Sequence, residues 1–147
     1  MTRGGAALPD PVEDTSKSPF KVADGMVRTG ALKNSLDGLA DAWRHEGAFR
    51  QVAMLAAVLV VVACILPVGG VERALLIGSA LLAIIVELMN SGIEAAIDRI
   101  SLERHPLSKR AKDVASAAVM TSLVLLAVVW ILVAGPVALA WISRSGP

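Results

Sequence analysis

Three long apolar stretches, Phe49–Leu66, Ala74–Ile97 and Val114–Ala134, leave this chain few ways to fold. Each is close to the about 20 residues a helix needs to cross the hydrocarbon of a bilayer. In hydrocarbon, backbone polar groups find partners only within a helix or a closed barrel, and three segments do not close a barrel. The expected fold is an all-α membrane protein with three transmembrane helices, at about residues 49–66, 74–98 and 112–135. A hydrophobic content of 55% over 147 residues is too high for an ordinary small soluble domain, and the length allows one domain.

The punctuation between the stretches sets a topology. Pro67, Gly69 and Gly70 make a tight turn between the first two spans. The second connection, Ser101–Lys112, is longer and basic, with Arg104, Lys109, Arg110 and Lys112 against Glu103. Arg28, Lys33, Arg44 and Arg50 flank the first span on its N-terminal side. The positive-inside rule places both regions in the cytoplasm, and three spans then put the Pro-Gly turn and the C-terminus on the opposite side. Pro136 is expected to end or kink the last helix, with Val137–Ile142 able to extend it a little. Residues 1–25 are rich in Gly, Pro, Asp, Ser and Lys without the apolar core of a signal peptide, and read as a disordered N-terminal tail before a membrane domain over 26–143.

Composition removes several function classes. A net charge of +1, with no interleaving of aromatic and basic residues, argues against nucleic acid as a partner. The single Cys64 leaves no internal disulfide and no multi-cysteine metal site; in its apolar stretch it serves as a small hydrophobe. No P-loop, dinucleotide-binding turn or protein-kinase signature is present.

Ahead of the first span, RTGALKNSLDGLADAWRHEGAF places Leu32, Leu36, Leu39 and Trp43 on one helical face, with Lys33, Asp37, Asp41 and Arg44 elsewhere. The pattern suits a helix over about 27–46 lying in the membrane surface, and Trp43 suits the head-group level. Packing on a soluble partner domain is the alternative, because amphipathicity does not name the surface covered.

The second stretch carries groups that such a segment ordinarily avoids. Within IVELMNSGIEAAIDRI, residues 85–100, Glu87, Asn90, Glu94 and Asp98 are spaced by three, four and four, so a helix puts them on one stripe. The rise from Glu87 to Asp98 is about 16 Å, from within the hydrocarbon to the cytoplasmic head groups. An acidic residue at the centre of a membrane helix costs roughly 2.5–3.5 kcal/mol to insert, so the stripe is expected to line a cleft holding cations or water. Glu46, where the surface helix meets the first span, and Lys112 and Asp113, where the third begins, fall near the same level. Oxygen ligands suit hard cations, and Mg²⁺ is commonly held by one or two carboxylates plus substrate phosphates. A lysine beside them neutralises phosphate oxygens. Carboxylates, an amide and a lysine together point to metal-assisted phosphoryl transfer.

Each group also has a plain structural use. Asn90, and less readily Glu87, can hold helices together at about 0.6 kcal/mol per polar pair. Asp98, Lys112 and Asp113 can form a solvated flank. Ser91 and Ser116 can permit close helix approach. His105, in a polar loop before Pro106, reads as solvent-facing rather than as a ligand.

At these residues the sequence resembles the small bacterial integral-membrane diacylglycerol kinases. The likeness runs from about Gly38 to Trp130, through EGAFRQ (46–51), VELMNSGIEAAIDR (86–99) and RAKDVASAAV (110–119), with similar spacing between the blocks. The resemblance implies a homotrimer of three-span subunits with an amphipathic surface helix and active sites shared between subunits, in the bacterial inner membrane. It implies transfer of the ATP γ-phosphoryl group to diacylglycerol, giving phosphatidic acid, with Mg²⁺ as cofactor. It further implies Glu87 as general base, Glu46 and Glu94 as ligands of the nucleotide-bound metal, and Asn90, Asp98, Lys112 and Asp113, with those two glutamates, as the ATP site. Ser116 joins Glu87 on the side of the lipid substrate.

Some positions depart from the family pattern. Val52 stands where an acidic residue can follow FRQ, Asn34 where some members have tyrosine, and Arg28 matches an early arginine only after a one-residue slip. Two rival readings follow. An undecaprenol kinase shares the fold and an Asn-x-x-x-Glu core, although EGAFRQ and DRIS look more like the diacylglycerol branch. A non-catalytic subunit would use the acidic stripe as a cation path.

Overall fold

The structure, a computed structural model, describes residues 27–100, 103 and 105–144. The expected tail over 1–25 and Arg104 of the basic loop lie outside the described residues. Four helices run in order: α1 Val27–His45, α2 Gly47–Ile65, α3 Gly70–Ile100 and α4 Pro106–Arg144, with no strand among the described residues. Three of them, α2, α3 and α4, are long and apolar enough to cross a membrane. The chain divides into two compact units, Met1–Leu36 and Asp37–Pro147. In the first unit Leu32 and Leu36 are exposed, and in the second Leu39 and Trp43 are exposed, as a surface helix requires.

Within the second unit α3 is the central element. It packs against α2 on one side and α4 on the other. Between apolar helices in lipid the hydrophobic effect supplies no attraction, so close approach of small residues has to do so. Ala56 and Ala63 of α2 and Ala80 and Ala83 of α3 are accordingly among the most buried residues, with Leu76. Leu126 of α4 joins the cluster, with Trp130 packed beside it. Trp130 donates from Nε1 to the Leu76 carbonyl at 3.3 Å, tying α4 to α3. The buried hydroxyls are satisfied inside their own helices, Ser79 on Leu76 O at 2.9 Å and Ser122 on Val119 O at 2.7 Å. Outward-facing Val58, Val61, Ile65, Ile131 and Leu132 remain exposed, as lipid-facing positions do. Cys64 is exposed as well, so it does not fill the interior of a single chain.

The helices overrun the expected spans. α3 starts at Gly70 and α4 at Pro106, each before its apolar stretch begins. Proline at the first helical position forfeits no bond, since that N–H would be unpaired anyway. His105 completes the start: Leu107 N–H donates to its Nδ1 at 3.2 Å, and Lys109 N–H donates to its carbonyl at 3.0 Å. At the other end α4 passes through Pro136 and reaches Arg144. Proline inside a membrane helix is tolerated because local adjustment re-satisfies the freed carbonyl.

The α2–α3 turn is held by a residue whose role the apolar pattern does not announce. Arg73 donates from Nε to Ala63 O at 3.1 Å, and from Nη2 to Leu66 O at 3.1 Å and Val68 O at 3.4 Å. The last carbonyls of a helix have no partners within it, and here one guanidinium serves those of α2 and the turn.

Candidate functional site

The site begins at an elbow. Glu46 is the single residue between α1 and α2, with extended backbone (φ −105°, ψ 109°) and no side-chain capping bond of its own. Its N–H donates to Ala42 O at 2.9 Å, so its main chain is fixed while its carboxylate stays available. Arg50, one turn into α2, reaches back to the end of α1, donating from Nη1 to Trp43 O at 3.0 Å and Arg44 O at 3.3 Å. An edge-to-face contact of Trp43 with buried Phe49, ring centroids 6.5 Å apart, braces the same corner.

On α3, Glu87 is only 2% exposed. Beyond its burial, the charges of Glu94 and then Glu46 act on it, so the elbow and the α3 stripe share one electrostatic environment. One turn from Glu87, Asn90 donates from Nδ2 to Glu94 Oε1 at 3.1 Å. Its own Oδ1 is buried and without a hydrogen-bond partner among the described residues. An unmatched buried acceptor costs about 1–3 kcal/mol, so this oxygen is a place for a donor or cation from outside the chain. Asp98, further along the stripe, accepts from Lys112 Nζ of α4 at 2.6 Å, and Glu94 also contributes to the field at Lys112.

The structure therefore gathers Glu46, Glu87, Asn90, Glu94, Asp98 and Lys112 at one end of the α2–α3–α4 layer. Asp113 is placed otherwise: it pairs with Lys109, Nζ to Oδ2 at 2.5 Å, one turn away on an exposed face of α4. Ser116 is exposed, beside the buried Ala115. Arg50, read from the sequence only as part of the basic flank, is the residue whose role at this corner the sequence reading missed, while His105 is exposed as expected. The signal for Arg50 was a basic side chain in the first turn of a helix, where the helix dipole disfavours it unless it serves a neighbour.

The electrostatics are lopsided. Ion pairs among the described residues include Lys112–Asp98, Lys109–Asp113 and His45–Asp41, none of which involves Glu46, Glu87 or Glu94. Nor do three His, Cys, Asp or Glu side chains converge there as a closed metal cage. Unpaired carboxylates beside an orphaned amide oxygen fit a hard cation that brings part of its own coordination, as Mg²⁺ does with substrate phosphates. Glu46 and Glu94, the two carboxylates whose charges reach Glu87, are the residues of this chain that would hold it.

Comparison with known proteins gives one consistent result. Residues 33–134 match the family described as prokaryotic diacylglycerol kinase. A protein of Pseudomonas aeruginosa named diacylglycerol kinase is 53% identical over 116 residues, covering 78% of this chain and 94% of that protein. The protein of that name from Escherichia coli is 48% identical over 96 residues, 65% of this chain and 79% of its own length. One from Helicobacter pylori is 44% identical over 117 residues, 77% of this chain and 91% of that protein. With the family matched over most of this chain, three membrane-capable helices and a carboxylate-lined end, the chain belongs to the prokaryotic diacylglycerol kinase family.

Proposed function

We propose that this membrane protein phosphorylates diacylglycerol at the end of the helix layer where Glu87, Asn90 and Glu94 lie, taking the γ-phosphoryl group from MgATP and releasing phosphatidic acid and ADP. The observation that carries the reading is Glu87, a carboxylate 2% exposed on a helix fit to span the membrane, with two further carboxylates, neither in a salt bridge with a described residue, within its field. A group so placed is costly as an adhesive and useful as a base.

In the reaction the lipid hydroxyl oxygen forms a bond to the γ-phosphorus, the bond from that phosphorus to the bridging oxygen of ADP breaks, and the hydroxyl proton passes to Glu87. Glu87 can meet a substrate whose chains stay in the bilayer. Glu46 and Glu94 would hold the cation, which supplies charge neutralisation of the phosphate oxygens when bound. Lys112, fixed by Asp98, presents an ammonium group to the phosphates from the α4 side. Asn90 orients Glu94 through its amide, and its Oδ1 would be free to help hold the nucleotide and its cation. Asp113 and Ser116 face outward in one chain, and in this reading they serve a site completed by a neighbouring subunit of a homotrimer. In this reading the site lies on the cytoplasmic side of the inner membrane, where ATP is; the basic flanks support it through the positive-inside rule.

The test offers dioleoylglycerol and undecaprenol together as acceptors in mixed micelles with γ-labelled MgATP. Labelled phosphatidic acid is expected. Undecaprenyl phosphate as the main product would move the chain to the undecaprenol branch, and neither product from folded protein, with a cation current across vesicles, would favour the cation path.

A further inference from the structure

The far end of α4 does not fit the membrane that the rest of the layer defines. The stretch Val114–Ile142 is 29 residues without an acidic or basic side chain, about 43 Å of helix against about 30 Å of hydrocarbon. α3 marks where that hydrocarbon ends on the side away from Glu87, because its charged Glu72 and Arg73 stand beside the Leu66–Gly69 turn. The Trp130–Leu76 hydrogen bond sets the two antiparallel helices in register. Six residues further along each, Pro136 of α4 comes level with Gly70, the first residue of α3. Everything after Pro136 therefore lies past the head-group level that Glu72 and Arg73 define.

That overhang, Val137–Arg144, is still helical and about 12 Å long. It carries Val137, Leu139, Trp141 and Ile142 and ends on Ser143 and Arg144. Leu139, Trp141 and Ile142 are 69%, 77% and 67% exposed. Standing clear in water, such a helix would keep its apolar surface hydrated. It begins at Gly135–Pro136, where the missing proline N–H leaves the Leu132 carbonyl without its usual partner and lets the axis bend. It also lies beyond the residues 33–134 matched by the family. Tryptophan and arginine at its end are the side chains that settle among lipid head groups.

We infer that residues 137–144 form an interfacial foot: the helix turns at Gly135–Pro136 and lies in the head-group layer of the leaflet opposite the carboxylate cluster, with Leu139 and Ile142 toward the acyl chains and Arg144 toward lipid phosphates. Its partner is the lipid surface itself, continuous with the lipid already covering the outward faces of α4.

The test uses the full chain with Cys64→Ala and a single bimane-labelled cysteine, Ile142→Cys in one preparation and Leu139→Cys in another, in phosphatidylcholine–phosphatidylglycerol vesicles. Head-group nitroxide lipid is expected to quench both labels about twofold more than chain-end nitroxide, as suits a helix 5–10 Å into the boundary, with little quenching by aqueous iodide. Strong iodide quenching without lipid quenching would overturn the foot in favour of a helix standing in water. Stronger quenching at the chain ends would show α4 tilted to keep the segment in hydrocarbon, and shielding from every quencher would show it covered by a second copy; either result also overturns the proposal.

Discussion

Lys112 Nζ lies 2.6 Å from Asp98 Oδ1, so the start of α4 is fastened to the last turns of α3 by one ion pair at the mouth of the carboxylate cluster. Both partners are partly exposed, and an ion pair in such a setting adds little to stability. What the pair fixes is the direction of an ammonium group.

Replacing Lys112 by Met is therefore expected to leave the unfolding midpoint nearly unchanged while raising the KM for MgATP by about tenfold or more, as loss of a charge-assisted phosphate contact does. The reversed pair Asp98→Lys with Lys112→Asp restores an ion pair between the helices and does not restore the KM. Steady-state kinetics beside thermal unfolding in detergent checks both statements. Equal loss of stability and activity would mean that the pair is structural.

Arg50 gives a different signature. Its guanidinium holds Trp43 and Arg44 carbonyls at the end of α1, one residue short of Glu46. Arg50→Met is expected to cost about 1–2 kcal/mol for the lost charged hydrogen bonds and to loosen the elbow. The apparent affinity for Mg²⁺ falls with it, because Glu46 then sits on a less firmly held elbow. Titrating activity with Mg²⁺ at saturating ATP shows a higher half-saturation for Arg50→Met and an intermediate value for Arg50→Lys. An unchanged Mg²⁺ curve would separate Arg50 from the site.

The spans, their order and the acidic stripe were legible in the sequence, for a physical reason. Hydrocarbon forces backbone bonds into helices and makes each intramembrane charge conspicuous, so Glu87, Asn90, Glu94 and Asp98 declare both their helix and their shared face. The sequence brought Lys112 near the level of Asp98 without pairing them; the ion pair between them is a finding of the structure. Asp113 was less readable. Lys109, one turn away, competes for it, and sequence spacing alone does not say which of two nearby partners a carboxylate takes. Helix ends were less legible than spans because they depend on local contacts: His105 starts α4 six residues before the expected span, while α4 continues through Pro136 into the stretch that the sequence allowed it. Arg73 was hidden for a similar reason, since its three acceptors are main-chain carbonyls that any sequence would supply.

That arginine yields a prediction free of the catalytic end. Arg73→Ala leaves the Ala63, Leu66 and Val68 carbonyls without their shared donor, at an expected cost of about 2 kcal/mol. The α2–α3 turn is at the opposite end of α3 from Asp98, so initial rates at low temperature are expected to stay within about twofold of wild type, while the half-life at elevated temperature shortens. Thermal inactivation curves measure this. A lowered initial rate with unchanged half-life would mean that the turn communicates with the site.

The central claim is that Glu87 takes the proton of the lipid hydroxyl, and it is tested most directly by phosphoryl transfer from MgATP to dioleoylglycerol by wild type and Glu87→Gln at matched folding and matched nucleotide binding. The amide keeps the volume and loses the basic oxygen. Loss of a positioned general base predicts a fall in kcat of about 10²–10⁴-fold with little change in the KM for MgATP. A Glu87→Gln protein that transfers phosphate within a few-fold of the wild-type rate would contradict the account.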